Sequence, residues 1–188
     1  MRLFIAVNLC EEIKQAIRNA IDRFPVAHPP WRWVGDDAFH ITLKFLGDTS
    51  EDHVPQIINQ LQGACRACHG FDIRLRDMGG FPNLTKPRVL FYKVMEGADE
   101  LGHIAAAVDE ALYRDLGIPM ESKPFRAHVT IARIKRPLQR DIISQFAAAP
   151  VLTGAAQRVQ SVDLMRSELR REGARYHIVK EIALDAAA

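Results

Sequence analysis

The sequence predicts a duplicated fold in which β-strands and α-helices are mixed along the chain. Two observations lead to this prediction. Apolar residues recur with the period of a strand in some segments and with the period of a helix in others. In addition, residues 3–40 and 89–128 each contain a strand and a helix before a strand that carries a histidine. From that histidine to the next expected strand is 31 positions in both halves, which indicates an internal duplication.

The first half of the chain contains six expected elements. Helical spacing of Ile13, Ile17 and Ile21 predicts the first helix, and Ser50 is a suitable N-cap for the second. Gly47 closes the strand that carries the first histidine. The strands are expected over residues 3–8, 31–34, 39–46 and 71–76, and the helices over residues 11–24 and 50–67.

The second half contains a further six expected elements. It is preceded by residues 77–86, where Gly79, Gly80 and Pro82 predict a loop. Gly117 and Pro119 end the longest helix. The strands are expected over residues 88–94, 125–134, 159–164 and 176–182, and the helices over residues 98–116 and 138–147.

Composition and charge exclude several classes of protein. The 188 residues include 25 Lys and Arg against 23 Asp and Glu, a net charge of +2, which excludes a histone-like or polyanionic protein. The 48% of hydrophobic residues is ordinary for a globular domain. No apolar run approaches the roughly 20 residues of a membrane span. Three cysteines without an export signal favour free thiols, so we expect a cytoplasmic protein. We expect it to act as a monomer.

One four-residue pattern occurs in both halves, as His40-Ile41-Thr42-Leu43 and as His128-Val129-Thr130-Ile131. Because side chains alternate along a strand, the histidine and threonine of each pattern share one face, while the two apolar residues point into a core. If the halves pack with approximate two-fold symmetry, both His-Thr pairs face one cleft. A single pattern would indicate only a structural histidine, but two at equivalent points of a repeat predict a functional site.

Two histidines that flank one substrate suit a reaction with two proton transfers. Imidazole has an ordinary pKa near 6.5, so His40 and His128 can act as acid and base at neutral pH. Thr42 and Thr130 can donate hydrogen bonds to the non-bridging oxygens of a phosphate. This combination predicts in-line displacement at phosphorus.

Three further side chains are candidates for substrate binding. The fifth position after each histidine is Phe45 in one strand, suited to a base, and Arg133 in the other, suited to a phosphate. In an ideal strand this position faces away from the histidine, so a bulge or a strand end must redirect it. Arg126 shares a face with His128 and is a candidate phosphate contact, within a basic cluster whose alternative is a solvated surface.

These residues resemble a known family. The two His-x-Thr patterns, with the run Leu43-Lys44-Phe45-Leu46-Gly47, are similar to the 2H phosphoesterase superfamily, and within it to the bacterial RNA 2′,3′-cyclic phosphodiesterases, also called 2′-5′ RNA ligases. The resemblance covers the whole chain, residues 1–188, as a single bilobal domain. Ala127 is a departure, since many relatives carry proline before the second histidine, and the backbone is less constrained there. Further matching segments are Arg2-Leu3-Phe4-Ile5-Ala6, Gly80-Phe81-Pro82, Arg166-Ser167-Glu168-Leu169 and Gly173-Ala174-Arg175-Tyr176.

The resemblance implies a bilobal α+β fold, with two antiparallel sheets flanked by helices around a central cleft. It implies opening of a terminal 2′,3′-cyclic phosphate to a 2′-phosphate, on RNA ends or nucleotides, without a metal or organic cofactor. His128 would activate water and His40 would protonate the departing 3′ oxygen, or the roles could be exchanged. The implied substrate contacts are Thr42, Thr130 and Arg133 at the phosphate and Phe45 at the base.

Other interpretations of the sequence remain open. The same cleft would suit a module that binds RNA ends without turnover, or an enzyme that joins RNA by 2′-5′ linkage when a 5′-hydroxyl replaces water. Cys65, Cys68 and His69 match the C-x-x-C-H pattern of haem attachment. Together with Cys10 or His103 they could also form a zinc site. No export signal and no second pair of ligands accompany them, so we expect free thiols at a helix end.

Overall fold

Nine β-strands and four α-helices make up the part of the chain that the computed structural model describes, residues 1–24, 29–149, 151–152, 154–170 and 173–185. Short 3₁₀ turns at Asp36–Ala38 and Glu51–His53 precede β3 and α2. The strands are β1 (Arg2–Asn8), β2 (Trp31–Trp33), β3 (His40–Asp48), β4 (Phe71–Phe81), β5 (Val89–Glu96), β6 (His128–Ile134), β7 (Ala156–Val159), β8 (Ser161–Arg170) and β9 (Gly173–Ala183). The helices are α1 (Glu11–Ile21), α2 (Val54–Cys65), α3 (Ala98–Leu116) and α4 (Arg140–Ala147).

The strands form two sheets, and every strand pairing is antiparallel. The first sheet has the order β3-β1-β8-β9, and the second has the order β2-β6-β5-β4-β7. The helices supply the other layer of the core. The predicted α+β fold with two antiparallel sheets is therefore confirmed.

The duplication is visible in the order of the strands. In each half a strand, a helix and a second strand return to one sheet, as β1-α1-β3 in the first sheet and β5-α3-β6 in the second. After one more helix, the next long strand crosses to the other sheet, so that β4 pairs with β5 and β8 pairs with β1. Each sheet therefore contains strands from both halves of the chain, and the two halves hold each other in place.

Apolar faces of the helices pack onto the sheets. Helix α1 buries Ile13 and Ile17, and α3 buries Ile104, Val108 and Leu112 at helical spacing. Helices α2 and α3 also pack against each other. Within the described residues, every helix lacks the combination of length and apolarity that a bilayer crossing requires.

The expected loop over residues 77–86 was wrong in its first part. Strand β4 continues to Phe81, because Met78 pairs with Tyr92 and Phe81 pairs with Val89 on β5. Glycine is required at residue 79 for packing: a Cβ there would lie 2.6 Å from the ring of Phe91. Glycine in a strand interior often marks such a close approach rather than a turn.

The expected strand over residues 159–164 is two strands in two sheets. Strand β7 ends at Val159, which pairs with Phe71 on β4 at the edge of the second sheet. Strand β8 starts at Ser161 and enters the first sheet beside β9. The prediction failed because no glycine or proline separates Val159 from Val162, while the residues on the two sides of Gln160 pair with different partners.

Candidate active site

The two His-x-Thr strands lie next to each other in space and expose the same alternation of side chains. In both β3 and β6 the histidine and threonine are half-buried, and the apolar residue after each is buried. His40, Thr42, His128 and Thr130 all line one cleft of about 650 Å³. The structure thus brings both pairs to a single concave site, as the duplicated pattern requires.

A β-bulge follows the threonine in both strands. Thr42 pairs with Ala6 on β1, but the next paired residue is Lys44, which leaves Leu43 as an extra residue. In β6 the extra residue is Ile131, between the paired residues Thr130 and Ala132. An extra residue reverses the alternation of side chains beyond it.

The bulges decide where the fifth position after each histidine points. Phe45 and Arg133 both line the cleft, and both are exposed within it. Without the bulges, parity would turn these side chains away from the histidines. Phe45 and Arg133 are therefore redirected towards the histidines by a bulge in each strand and not by the end of a strand.

The imidazole of His40 packs against two aromatic rings that also contact each other. Its centroid lies 5.0 Å from the ring of Phe4 and 5.1 Å from the ring of Tyr176, which meets it edge-on. Burial is the main cause that lowers the pKa of His40 to about 4; the nearby charges of Lys14 and of His128 in its protonated form act in the same direction, and the backbone of Asp37 partly opposes the shift. His40 is therefore neutral at pH 7 when the cleft holds no anion.

The imidazole of His128 also packs against two aromatic rings, those of Phe81 at 4.9 Å and Phe91 at 5.1 Å, both edge-on. Its Nδ1 lies 2.6 Å from the backbone carbonyl oxygen of Arg126. Burial lowers the pKa of His128, and the hydrogen bond to Arg126 partly opposes this effect. Because a carbonyl only accepts, Nδ1 carries the proton, and the neutral ring keeps a lone pair on Nε2.

Arg126 contributes its backbone and not its side chain to the site. The guanidinium is exposed and is absent from the lining of the cleft, and the carbonyl holds His128. Strand β6 begins only at His128, so the strand parity that suggested Arg126 does not extend back to it.

The cleft is positively charged. Arg2, Arg32, Arg133 and Arg175 line it, and Asp37 is the one acidic residue among the described side chains of the lining. Arg32 on β2 lies directly opposite Arg133 on β6. Such a surface attracts anionic ligands such as phosphate esters.

A buried ion pair fixes the strand of the first histidine to the other half of the chain. Lys44 is 1% exposed, and its Nζ donates to the carboxylate of Asp109 on α3 and, at 2.8 Å, to the carbonyl of Pro119. The backbone N–H of Glu121 donates to the same carboxylate at 3.0 Å. Residues 117–127 lead into β6, so this network helps to set the position of His128.

The cysteine cluster is separate from the cleft. Burial raises the pKa of Cys65 to about 12, and burial also raises the pKa of Cys68, so both are thiols at neutral pH. Among the described residues, no three His, Cys, Asp or Glu side chains are arranged to hold a metal ion.

Several residues that line the cleft or pack against its histidines carried no local signal in the sequence. Tyr176 comes from the last strand and reaches His40 only through the pairing of β9 with β8. Phe81 lies in the segment expected to be a loop, and Phe91 belongs to an ordinary apolar strand. The period of two along β1, which puts Arg2 and Phe4 on one face, is the signal that could have identified those two residues.

Comparisons with known proteins agree with this geometry. A family model described as LigT like Phosphoesterase matches residues 7–91 and 94–176, and each matched segment contains one His-x-Thr pattern. An RNA 2′,3′-cyclic phosphodiesterase of Thermus thermophilus is 36% identical over 187 residues, which cover 98% of this chain and 90% of the relative. A protein of the same name from Aquifex aeolicus is 30% identical, with 96% and 94% covered.

Solved structures share the fold along almost the whole chain. A crystal structure of a Thermus thermophilus protein matches with a TM-score of 0.83 at 33% identity, and 98% of each chain is covered. The structure of E. coli LigT complexed with 3′-AMP matches with a TM-score of 0.76 at 25% identity, and 97% of each chain is covered. The chain therefore belongs to the LigT-like phosphoesterase family.

Proposed function

We propose that this protein is an RNA 2′,3′-cyclic phosphodiesterase that hydrolyses a terminal 2′,3′-cyclic phosphate to a 2′-phosphomonoester. The observation that carries the proposal is the presence of His40 and His128 at equivalent positions of two bulged strands that line one positively charged cleft. The relatives named RNA 2′,3′-cyclic phosphodiesterase support it.

In this proposal His128 is the general base. Its Nδ1–H donates a hydrogen bond to the carbonyl oxygen of Arg126, and the neutral ring has a lone pair on Nε2. A water molecule that loses its proton to this nitrogen attacks phosphorus, and the bond between phosphorus and the 3′ oxygen breaks. The 2′ oxygen keeps the phosphate, which gives the 2′-phosphomonoester.

His40 is then the general acid that protonates the departing 3′ oxygen. Burial disfavours its cation in the empty cleft, but the negative charge of a bound phosphate raises the pKa of a nearby imidazole. Substrate binding would therefore supply the protonated form where it is needed. The exchange of the two roles remains an outcome of the experiments below.

Substrate binding is assigned to four other side chains of the cleft. Thr42 and Thr130 line the cleft with the two histidines and would donate hydroxyl hydrogen bonds to the non-bridging oxygens. Arg133 would add a charge-assisted hydrogen bond to the phosphate, and Phe45, 66% exposed, offers a flat surface to the terminal base. We retain Arg126 only as the residue whose carbonyl orients His128.

We further propose that residues 1–188 act as one bilobal domain and as a monomer, since both histidines and their cleft come from one chain. The free thiols of Cys10, Cys65 and Cys68 support the cytoplasm as its location.

The test is hydrolysis of a short RNA that ends in a 2′,3′-cyclic phosphate, in EDTA, with 2′- and 3′-phosphate products resolved. His40→Ala and His128→Ala should each lose about 10²- to 10⁴-fold in rate, because general acid-base groups contribute that much. His103→Ala is the matched control, since His103 is exposed on α3 and outside the cleft.

The outcomes separate the alternatives. A 2′-phosphate from the wild type and the control, and not from the two variants, supports the proposal. An RNA acceptor with a 5′-hydroxyl, included in a parallel reaction, detects 2′-5′ joining. Near-wild-type turnover by His128→Ala, or turnover restored only by a divalent metal, contradicts the proposal. Tight RNA binding without any product would favour an end-binding module.

A further inference from the structure

The cleft contains a large exposed apolar side chain that the proposed function does not use. Leu169 is 74% exposed and Phe45 is 66% exposed, the two highest values among the large apolar side chains of the described residues. Both line the same cleft. Apolar side chains held open in a concave site indicate a ligand that packs on them. Phe45 is assigned to the terminal base, and Leu169 has no assigned partner.

The pairing of β1 with β3 sets the order of residues along the cleft. His40 lies opposite Asn8 at one end, and Phe45 lies opposite Phe4 further along. In the same direction, towards the start of β1, Arg2 lies two residues beyond Phe4. At the rise of a strand this is about 6.6 Å. Arg2 and Phe4 share a face and both line the cleft, so the backbone of Arg2 lies beyond the surface for the terminal base, counted from His40.

Beyond Arg2, the wall of the cleft is formed by β8. Arg2 pairs with Ser167, and Leu169 lies two residues further, past the end of β1. Here the β8–β9 hairpin extends beyond its neighbour, and Arg175 on β9 also lines the cleft. The order along this wall is therefore a catalytic histidine, a surface for a base, a cation and a second apolar surface.

The charges in this region suit a phosphodiester. Neither Arg2 nor Arg175 makes an ion pair with another described residue, although Asp48 lies opposite Arg2 on β3. Along an RNA strand, counted from its 3′ end, the terminal base is followed by the phosphodiester on its 5′ side and then by a second base. That order matches the order of Phe45, Arg2 and Leu169.

We propose that this end of the cleft is a second nucleotide subsite. Arg2 binds the phosphodiester on the 5′ side of the terminal nucleotide, and Leu169 packs against the base of the preceding nucleotide. The inference rests on the proposed function and narrows its substrate to RNA ends of two or more nucleotides, in preference to nucleoside 2′,3′-cyclic phosphates.

The test compares kcat/KM for three substrates. They are cytidine 2′,3′-cyclic phosphate, the dinucleotide ApC with the same cyclic end, and that dinucleotide with a neutral methylphosphonate linkage. Each is assayed with the wild type, Arg2→Gln, Leu169→Ala and Arg166→Gln. Arg166→Gln is the matched control, because Arg166 precedes Ser167 on β8 and is outside the lining of the cleft.

The wild type and Arg166→Gln should prefer the ordinary dinucleotide to the mononucleotide by about tenfold or more, since a charge-assisted hydrogen bond contributes at least that factor. Arg2→Gln should reduce this ratio about tenfold, and Leu169→Ala should reduce it about threefold. With the methylphosphonate linkage, Arg2→Gln should have no further effect, because the charge that Arg2 binds is already removed.

Three results would overturn the inference. They are a ratio near one in the wild type, an unchanged ratio in Arg2→Gln, and an equal loss in Arg2→Gln on the methylphosphonate substrate. Hydrolysis of the mononucleotide without a dinucleotide preference contradicts this inference alone. If none of the three substrates is hydrolysed, the proposed function is wrong and the subsite loses its basis with it.

Discussion

Lowering the pH should destabilise the folded protein through His40. The folded protein holds this imidazole with a pKa of about 4, because burial disfavours the cation, whereas the unfolded chain titrates near 6.5. Between these values the unfolded state binds more protons, so the free energy of unfolding falls as the pH falls from 6.5 to 4. The full difference corresponds to about 3 kcal/mol, of which about 2 kcal/mol is lost by pH 5.

The assay is urea unfolding, followed by the fluorescence of Trp31 and Trp33, at pH 7, 6 and 5. Replacing the ring by His40→Gln removes the titrating group, so the variant should lose about 2 kcal/mol less than the wild type between pH 7 and pH 5. His103→Gln, an exposed position, should follow the wild type. If His40→Gln loses stability as steeply as the wild type, burial of His40 does not lower its pKa and the reasoning is refuted.

Three other substitutions test separate parts of the structure. Lys44→Ala should lower the free energy of unfolding in urea by about 3–5 kcal/mol, because it leaves Asp109 buried without its partner. The double variant Lys44→Met, Asp109→Leu should recover most of this loss. A loss under about 1 kcal/mol in the single variant would contradict the buried pair. Arg133→Gln should lower kcat/KM for cyclic-phosphate RNA by about 10- to 100-fold, with part retained in Arg133→Lys, and full activity would remove Arg133 from the phosphate site. Phe45→Ala should raise KM by about tenfold with little change in kcat, whereas an unchanged KM would exclude stacking on this ring.

The two histidines that the structure brings to one cleft could be singled out because their signal is local and repeated. Period-two alternation gives the face of a strand, and the second copy of the pattern distinguishes His40 and His128 from the five other histidines. The same alternation also placed Thr42 and Thr130. No knowledge of strand pairing was needed for these residues.

The sequence required a bulge or a strand end before Phe45 and Arg133, but it could not decide between them or place the bulges, because the extra residues Leu43 and Ile131 have no distinctive chemistry. A bulge is defined by the partner strand, and the partner residues Ala6 on β1 and Phe91 on β5 are 36 and 39 positions from Thr42 and Thr130 in the chain. Lys44 shows the consequence. Simple parity puts it beside His40 in the cleft, but the bulge turns it into the core, where Asp109 meets it.

The sequence did not predict where β4 and β7 end, because these positions also depend on the neighbouring strands. Gly79 and Gly80 are typical of turns, and only the ring of Phe91 on the neighbouring strand explains a glycine in the middle of β4. Tyr176, which packs against His40, depends on the exchange of β8 into the first sheet. Such contacts come from the order of strands in the sheets, which the local pattern does not contain.

The most direct test of the central claim, that His40 and His128 form an acid–base pair, is the pH dependence of kcat/KM from pH 4 to 9 for the wild type and each alanine variant. Because burial lowers the pKa of both rings in the free enzyme, the wild-type profile should be bell-shaped with its maximum below pH 6.5. Each variant should lose one limb of the bell together with most of its rate. A rate that rises steadily through neutral pH, or a bell that keeps both limbs in either variant, would contradict the pair.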